Sequence, residues 1–357
     1  MITFYFYWLS AFFCLAGCNK TRVIDDVDLL MLVGFDWIDE SKEYLGTELF
    51  PRYGLSEDSH DRRVGVFSAK GYTTQQIHSN IQSKVPNKIE SGKLLGIVLG
   101  EELAREGVNE VLYGISEDPN IGRGLFVAIA KGTASELLST NYNTDHILPI
   151  FLKDLMKTQS NNSLPPVNLH QYNYSYYGEG MDPYLPILAN KDNQIQLIGL
   201  GFFKGDQLTY EIDYNRLFYF RILFENSTNT EFDLLTEKIG HLSIVAIEST
   251  LKKKWVSKNK LELHVTIAGT LTESYNQKLT SFSNKAEIEG TIKKKLEKET
   301  KQLIEDLQKH DVDPLRIGAS AKATFRDWQE EKWKEEYPTV EITPVITFNL
   351  KQTNIVH

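Results

Sequence analysis

Residues 27–35, VDLLMLVGF, are apolar at odd and even positions alike, so a strand here has both faces covered, as in the interior of a sheet. Residues 63–70 carry a shorter strand pattern. Next, Thr73 or Thr74 stands where a hydroxyl can cap a helix, and Ile77, Ile81 and Val85 follow at i, i+4 and i+8 as one apolar stripe. Residues 94–99 form another interior strand. After it comes EELAREG, whose acidic first turn and closing Gly107 mark a short helix. Residues 125–130 and the following ASELLS repeat that strand-to-helix step, so the amino-terminal half mixes the two kinds of element.

Between about 157 and 194 the periodicity fades into Asn, Ser, Pro, Tyr and Gly, which reads as a long irregular segment. Its tyrosines, Tyr172 to Tyr184, are costly to leave wet. They either pack on the domain surface or stack on a ligand or partner, and Tyr176 and Tyr177 are the candidates for the second role. From Ile195 the pattern tightens into a hairpin, IQLIGLGFF and QLTYEID, turning at 204–206. Residues 242–247 and 261–267 alternate as half-buried strands. Residues 284–310 form a long charged helix with Ile288, Ile292, Leu296, Leu303, Ile304 and Leu307 along one side. Val340, Ile342, Ile346, Phe348 and Leu350 alternate around Pro344, which suits an edge strand or a bulge. The simplest packing is an α+β fold, a mixed multi-domain chain whose C-terminal antiparallel sheet lies against the long helix, with domains at 18–194 and 195–357.

Length changes this picture little: 357 residues exceed what one core usually supports, so two or three domains are expected. A net charge of -9 argues against nucleic acid as a partner and offers nothing to an anionic bilayer; the lysine triplets 252–254 and 293–295 read as solvated faces. The two cysteines, Cys14 and Cys18, sit together near the start. The body therefore has no disulfide framework, thiolate metal site or cysteine nucleophile. The eight histidines never fall at i, i+2 or i, i+4, the spacings that put two imidazoles on one metal. Neither a nucleophile elbow nor a phosphate-binding loop is present, and the glycines of Gly199-Leu200-Gly201 suit strand packing. Carboxylates in DWIDE and EGMD read as solvated. No catalytic, metal or cofactor set emerges.

Residues 1–17, MITFYFYWLSAFFCLAG, carry no charged side chain and are shorter than the roughly 20 residues that span a bilayer core. They read as a targeting segment, a permanent transmembrane helix being the weaker alternative. Leu15-Ala16-Gly17-Cys18 resembles the bacterial lipobox, in which the thiol takes a diacylglyceryl group and Cys18 becomes the first residue after cleavage. Each buried methylene contributes about 0.8 kcal/mol, and two acyl chains give the stable residence that one does not.

Residues 311–355, DVDPLRIGASAKATFRDWQEEKWKEEYPTVEITPVITFNLKQTNI, resemble the closing signature of the Ger(x)C family, the C-subunit lipoproteins of spore germinant receptors. Asp313, Gly318, Phe325, Trp328, Trp333, Tyr337 and the strand from Val340 stand in the places of its Asp-to-Gly turn, aromatic helix and last strand. Earlier landmarks fit in order: VGFDWIDE, SGKLLGIVLGEELAREG, GRGLFVAIAKGTASELL and IQLIGLGFFKGDQL. The resemblance implies a non-enzymatic subunit, lipid-anchored on the outer face of the inner spore membrane and acting with two multi-spanning A and B subunits. Ala321, Phe325 and Trp328, at i, i+4 and i+7, read as one apolar helix face, either core or contact surface. Trp333, off that stripe, is the better surface candidate, with Trp328 beside it. A solute-binding lipoprotein, its tyrosine-rich segment lining a cleft, is the alternative; a surface hydrolase is disfavoured by the missing catalytic set.

Overall fold

The first apolar run divides at Leu30 and Met31. Strand β1 (Val27–Leu29) pairs with β5 (Lys88–Glu90), while β2 (Leu32–Ile38) enters a larger sheet. The computed structural model describes residues 27–51, 64–238, 240–274 and 285–353; the targeting segment 1–17 and Cys18 lie outside them. The larger sheet has eight strands in the order β10-β9-β8-β7-β6-β2-β3-β4. Its parallel middle comprises β2, β6 (Gly96–Gly100), β7 (Phe126–Ala130) and β8 (Tyr184–Lys191). Antiparallel strands flank it, β3 (Glu43–Pro51) and β4 (Val64–Gly71) on one side, β9 (Gln194–Lys204) and β10 (Gln207–Asp213) on the other.

Both faces of this sheet are covered, as its unbroken apolar runs require. Val33, Phe35, Ile97, Leu99, Val127 and Ile129 pack against helices α1 (Thr74–Gln82), α2 (Glu101–Glu106), α3 (Asn109–Ser116) and α6 (Leu169–Tyr176). The alternate residues Leu32, Val98, Ala128 and Ala130 meet α4 (Ala134–Ser139) and α5 (Leu148–Asn162). The expected cap of α1 is Thr73, whose Oγ1 accepts from Gln76 N at 3.1 Å. Helix α4 has a second cap from far away in sequence: the Asp36 carboxylate accepts from Ala134 N at 2.7 Å and Ser135 N at 2.8 Å. Asp36, read as solvated in DWIDE, is buried; the two N–H donors offset part of its desolvation, which still holds its carboxyl above the ordinary range.

The segment expected to be irregular, 157–194, holds the end of α5, all of α6 and strand β8. Asn168 caps α6 by accepting from Gln171 N at 2.8 Å, and Tyr172 is buried edge-on to Phe203 at 5.8 Å. Propensity in this stretch is weak; burial of the Tyr172 ring against the sheet supplies what the local sequence lacks.

On the same face, His78 Nδ1 of α1 lies 3.0 Å from Oε1 of the buried Glu48 on β3. That hydrogen bond, with the charges of Glu48 and Asp118, holds the His78 pKa above its ordinary 6.5 against burial and Lys88. A raised histidine pKa stabilises the fold fully below 6.5, and the contribution is lost as pH rises through the folded-state value. His78→Gln should therefore cost about 1.5 kcal/mol at pH 5.5 and much less at pH 8.5 in denaturant titrations. An equal cost at both pH values would refute the ion pair.

The second sheet carries β11 (Ser227–Thr236), β12 (Gly240–Ser257), β13 (Lys260–Ser274) and β14 (Glu341–Thr353) in that order. Helix α8 (Lys285–Lys309) lies on it with Ile288, Ile292, Leu296, Leu303, Ile304 and Leu307 buried, as its periodicity requires. Three strands are antiparallel, but β14 joins β13 in parallel, because the chain returns through α8, α9 (Ile317–Thr324) and α10 (Glu330–Glu336), a crossover that restores direction. Side-chain alternation is the same in either orientation, so it could not distinguish them. Pro344 sits on this edge strand, where its missing N–H costs nothing to the β13 ladder.

Helix α7 (Leu217–Phe224), LFYFRILF, is apolar on nearly every side because it is buried on every side. Phe220 meets Tyr184 at 5.2 Å and Phe202 at 5.1 Å on the first sheet, while Phe218 stacks on Phe232 of the second at 3.7 Å. One apolar core consequently runs from the first sheet to the second. Strands β9 and β10, placed by sequence after a boundary at 194/195, are hydrogen-bonded into the first sheet, and the second begins at Ser227.

Candidate functional site

Residues 179–182, in the tyrosine-rich segment, meet the 311–355 signature at one seam. Asp313, at the head of the turn DPLRIG, is buried, and its carboxylate accepts from Ile317 N at 2.9 Å and Gly318 N at 2.7 Å, capping α9. Its own N–H donates to Asp182 Oδ2 at 2.7 Å, and Asp182 N returns a bond to the Asp313 carbonyl at 3.0 Å. Asp182 of EGMD is thus structural rather than solvated. Two residues earlier, Gly180 donates to Glu330 Oε2 at 2.9 Å and accepts from Ala319 N at 2.8 Å. Glu179 pairs with Lys322 on the rim.

Two glycines let the backbones touch. Gly180 has φ +69°, and a Cβ there would lie 2.4 Å from the Gly318 carbonyl carbon. A Cβ on Gly318 would lie 2.3 Å from Trp333 Nε1 and 2.6 Å from Gly180 Cα. Trp333, expected at the surface, is therefore buried, closing over this contact beside Tyr337 at 5.8 Å and Trp255 at 6.2 Å. Spacing placed it off a helical stripe that does not exist. Helix α9 stops at Thr324, so Phe325 and Trp328 follow its end, each half-buried, rather than sharing a helix face with Ala321. Trp255 Nε1 donates to Ser320 Oγ at 3.1 Å, and Phe325 packs edge-on to Trp255 at 5.3 Å.

Charge at the seam is unusual. Lys253, the middle residue of a triplet read as solvated, points inward because β12 alternation turns it to the α8 side; its Nζ donates to the carbonyls of Leu315 and Arg316. Burial brings the Lys253 ammonium down to about 8, opposed by Asp313. Burial likewise pushes the Asp313 carboxyl up to about 7, against the two backbone donors and Lys253. Arg316 lies between two rings, 5.2 Å from the centroid of Tyr174 and 4.8 Å from that of Phe224, so the tyrosine helix is tied to α7 by cation–π contact.

Of the four aromatic candidates, Tyr177 is the open one, 63% exposed and edge-on to Tyr176 at 4.8 Å. Tyr176 is half-buried and stacks on Tyr172 at 6.1 Å. Trp328 is half-buried under Lys322, whose Nζ sits 5.6 Å from its ring centre. Two grooves elsewhere, of about 900 Å³ beside Phe218, Asp233 and His241 and of about 450 Å³ beside Lys294 and Lys298, are not lined by the tyrosines of 172–184. Tyr172 and Tyr176 pack on the core of the first sheet and Tyr174 reaches Arg316 at the seam; none of them lines either groove. Gly180, Trp255 and Arg316 carry no signal in the sequence, and Asp182 and Lys253 look solvated there, since each acts on a partner distant along the chain.

The chain matches two family models in succession: the spore germination protein N-terminal domain over residues 20–190, and the spore germination B3/GerAC-like C-terminal domain over residues 198–354. It is 26% identical to spore germination protein GerQC of Bacillus cereus over 92% of each chain. It is 25% identical to spore germination protein B3 of Bacillus subtilis over 94% of each. The crystal structure of the GerBC protein shares the fold, with a TM-score of 0.57 at 18% identity, covering 89% of this chain and 96% of that one. The seam joins the end of the first matched region to the signature within the second, and the two matches together leave little of the body unassigned: the chain belongs to the Ger(x)C family of spore germination proteins.

Proposed function

We propose that this protein is a lipid-anchored, non-enzymatic subunit of a nutrient germinant receptor, held on the outer face of the inner spore membrane and acting with multi-spanning A and B subunits. The observation that carries the reading is the order of the chain: an uncharged leader ending in Leu15-Ala16-Gly17-Cys18, then a body whose first strand begins at Val27. Family membership supports the germination role. Residues 19–26, at about 3.5 Å each, limit the tether to about 30 Å. The subunit therefore works close to the bilayer, where partners embedded in the membrane present their outer loops. Tyr177 and Trp328, beside the seam, are the residues we assign to partner contact. Unlike a solute binder, the protein should show no saturable nutrient binding by itself.

Cys18→Ala tests the anchor. The variant should leave the membrane fraction and slow nutrient-triggered germination at least tenfold, while its circular dichroism and melting match the parent. Retention in membranes with normal germination would end the proposal.

A further inference from the structure

A net charge of -9 disguises one face of opposite sign. Along α8 most lysines are neutralised one turn on, Lys285 by Glu289, Lys293 by Glu297, Lys295 by Glu299 and Lys301 by Glu305. Lys294 and Lys298 break this scheme. They stand one turn apart with the same sign, an arrangement that costs helix stability, and among the described residues neither has an ion-pair partner. Lys238, from the turn between β11 and β12, has none either, and it lines the same groove of about 450 Å³. Gly290 and Thr291 also line it, and a Cβ on Gly290 would meet nothing within 4 Å, so the space is open. Leu235, 57% exposed, stands beside it. Glu237 and Glu287 also border the groove, Glu287 already having a partner.

We propose that the face formed by Lys238, Lys294 and Lys298 is laid against an anionic bilayer, with phosphate headgroups entering the groove and Leu235 resting at headgroup depth. The inference rests on the tethered reading. Three hydrated, exposed ammonium groups around an open groove cannot enclose a free anion. They act together only where anions are arrayed on a fixed surface, each lysine within about a Debye length of it raising occupancy about fivefold. A tethered body of net negative charge is repelled by such a surface everywhere except at a positive face, so the same lysines would set its orientation.

The test uses the full acylated chain in vesicles of phosphatidylcholine alone and of phosphatidylcholine with an equal part of phosphatidylglycerol. Lysine acylation rates are read by mass spectrometry. On the anionic vesicles Lys238, Lys294 and Lys298 should react at least about fivefold more slowly, with recovery in about 0.5 M salt, while the exposed Lys191 is unchanged. Equal rates on both vesicles would overturn the proposal. So would continued protection of Lys238 in a Lys294→Glu, Lys298→Glu variant, both positions being exposed and free of structural pairing. Flotation with either vesicle type reports the tether separately, so loss of the anchor is distinguished from loss of the lysine contact.

Discussion

Gly180→Ala should destabilise the protein by about 3–4 kcal/mol, the sum of a left-handed backbone imposed on a β-carbon and an overpacked contact that cannot relax. The backbone term follows from φ +69°. The packing term follows from the added Cβ lying 2.4 Å from the Gly318 carbonyl carbon and 2.5 Å from Ala319 N: both are backbone atoms, so no rotamer change relieves the clash. Relief requires parting the 178–183 segment from α9, which breaks the bond from Ala319 N to Gly180 O and uncovers Trp333. Gly205→Ala provides the comparison. Its φ is +60°, yet a Cβ there meets nothing within 4 Å, so only the backbone term of about 1 kcal/mol applies. Urea titrations of the two variants measure the difference. Equal losses would show that the close approach at the seam contributes nothing.

What was legible in the sequence divides along the reach of its signals. Helix α8 was readable because six apolar residues repeat along 25 residues, and α1 because Thr73 sits directly before its stripe. The lipobox and the order of landmarks were contiguous strings. The seam was not readable, since Asp182 accepts from Asp313 N far along the chain; the same holds in the first sheet, where Asp36 caps α4 at Ala134 and Ser135. A carboxylate with a distant cap looks the same in sequence as a solvated one. Trp333 was misplaced for a related reason. Its position relative to Ala321 and Phe325 was reckoned along a continuous helix, whereas the chain breaks between α9 and α10 and brings the ring back over Gly318. Lys253 was read from its neighbours in the triplet, although strand alternation alone turns it opposite to Lys252 and Lys254.

Asp313→Ala should also cost about 3–4 kcal/mol near neutral pH, because two buried N–H donors, those of Ile317 and Gly318, lose their acceptors at about 1–3 kcal/mol each. Loss of the carboxylate leaves Lys253 without its nearby counter-charge, and the cap of α9 goes with it. Asp313→Asn separates the cap from the charge, since its amide oxygen keeps one of the two bonds and its NH₂ faces the other donor. The two variants therefore differ from the parent in distinct ways with pH. Burial raises the Asp313 carboxyl from 3.8 to about 7, so the folded protein keeps a proton that the unfolded chain releases. Parent stability attributable to this group is full below 3.8, declines as pH rises to about 7, and is constant above. Asn at 313 cannot titrate, so the gap between parent and Asp313→Asn should narrow across that window. Denaturant midpoints measured at pH 4.5, 6 and 8 decide it: a gap that stays constant or widens would mean that Asp313 is ionised throughout and that Lys253 and the backbone donors outweigh its burial.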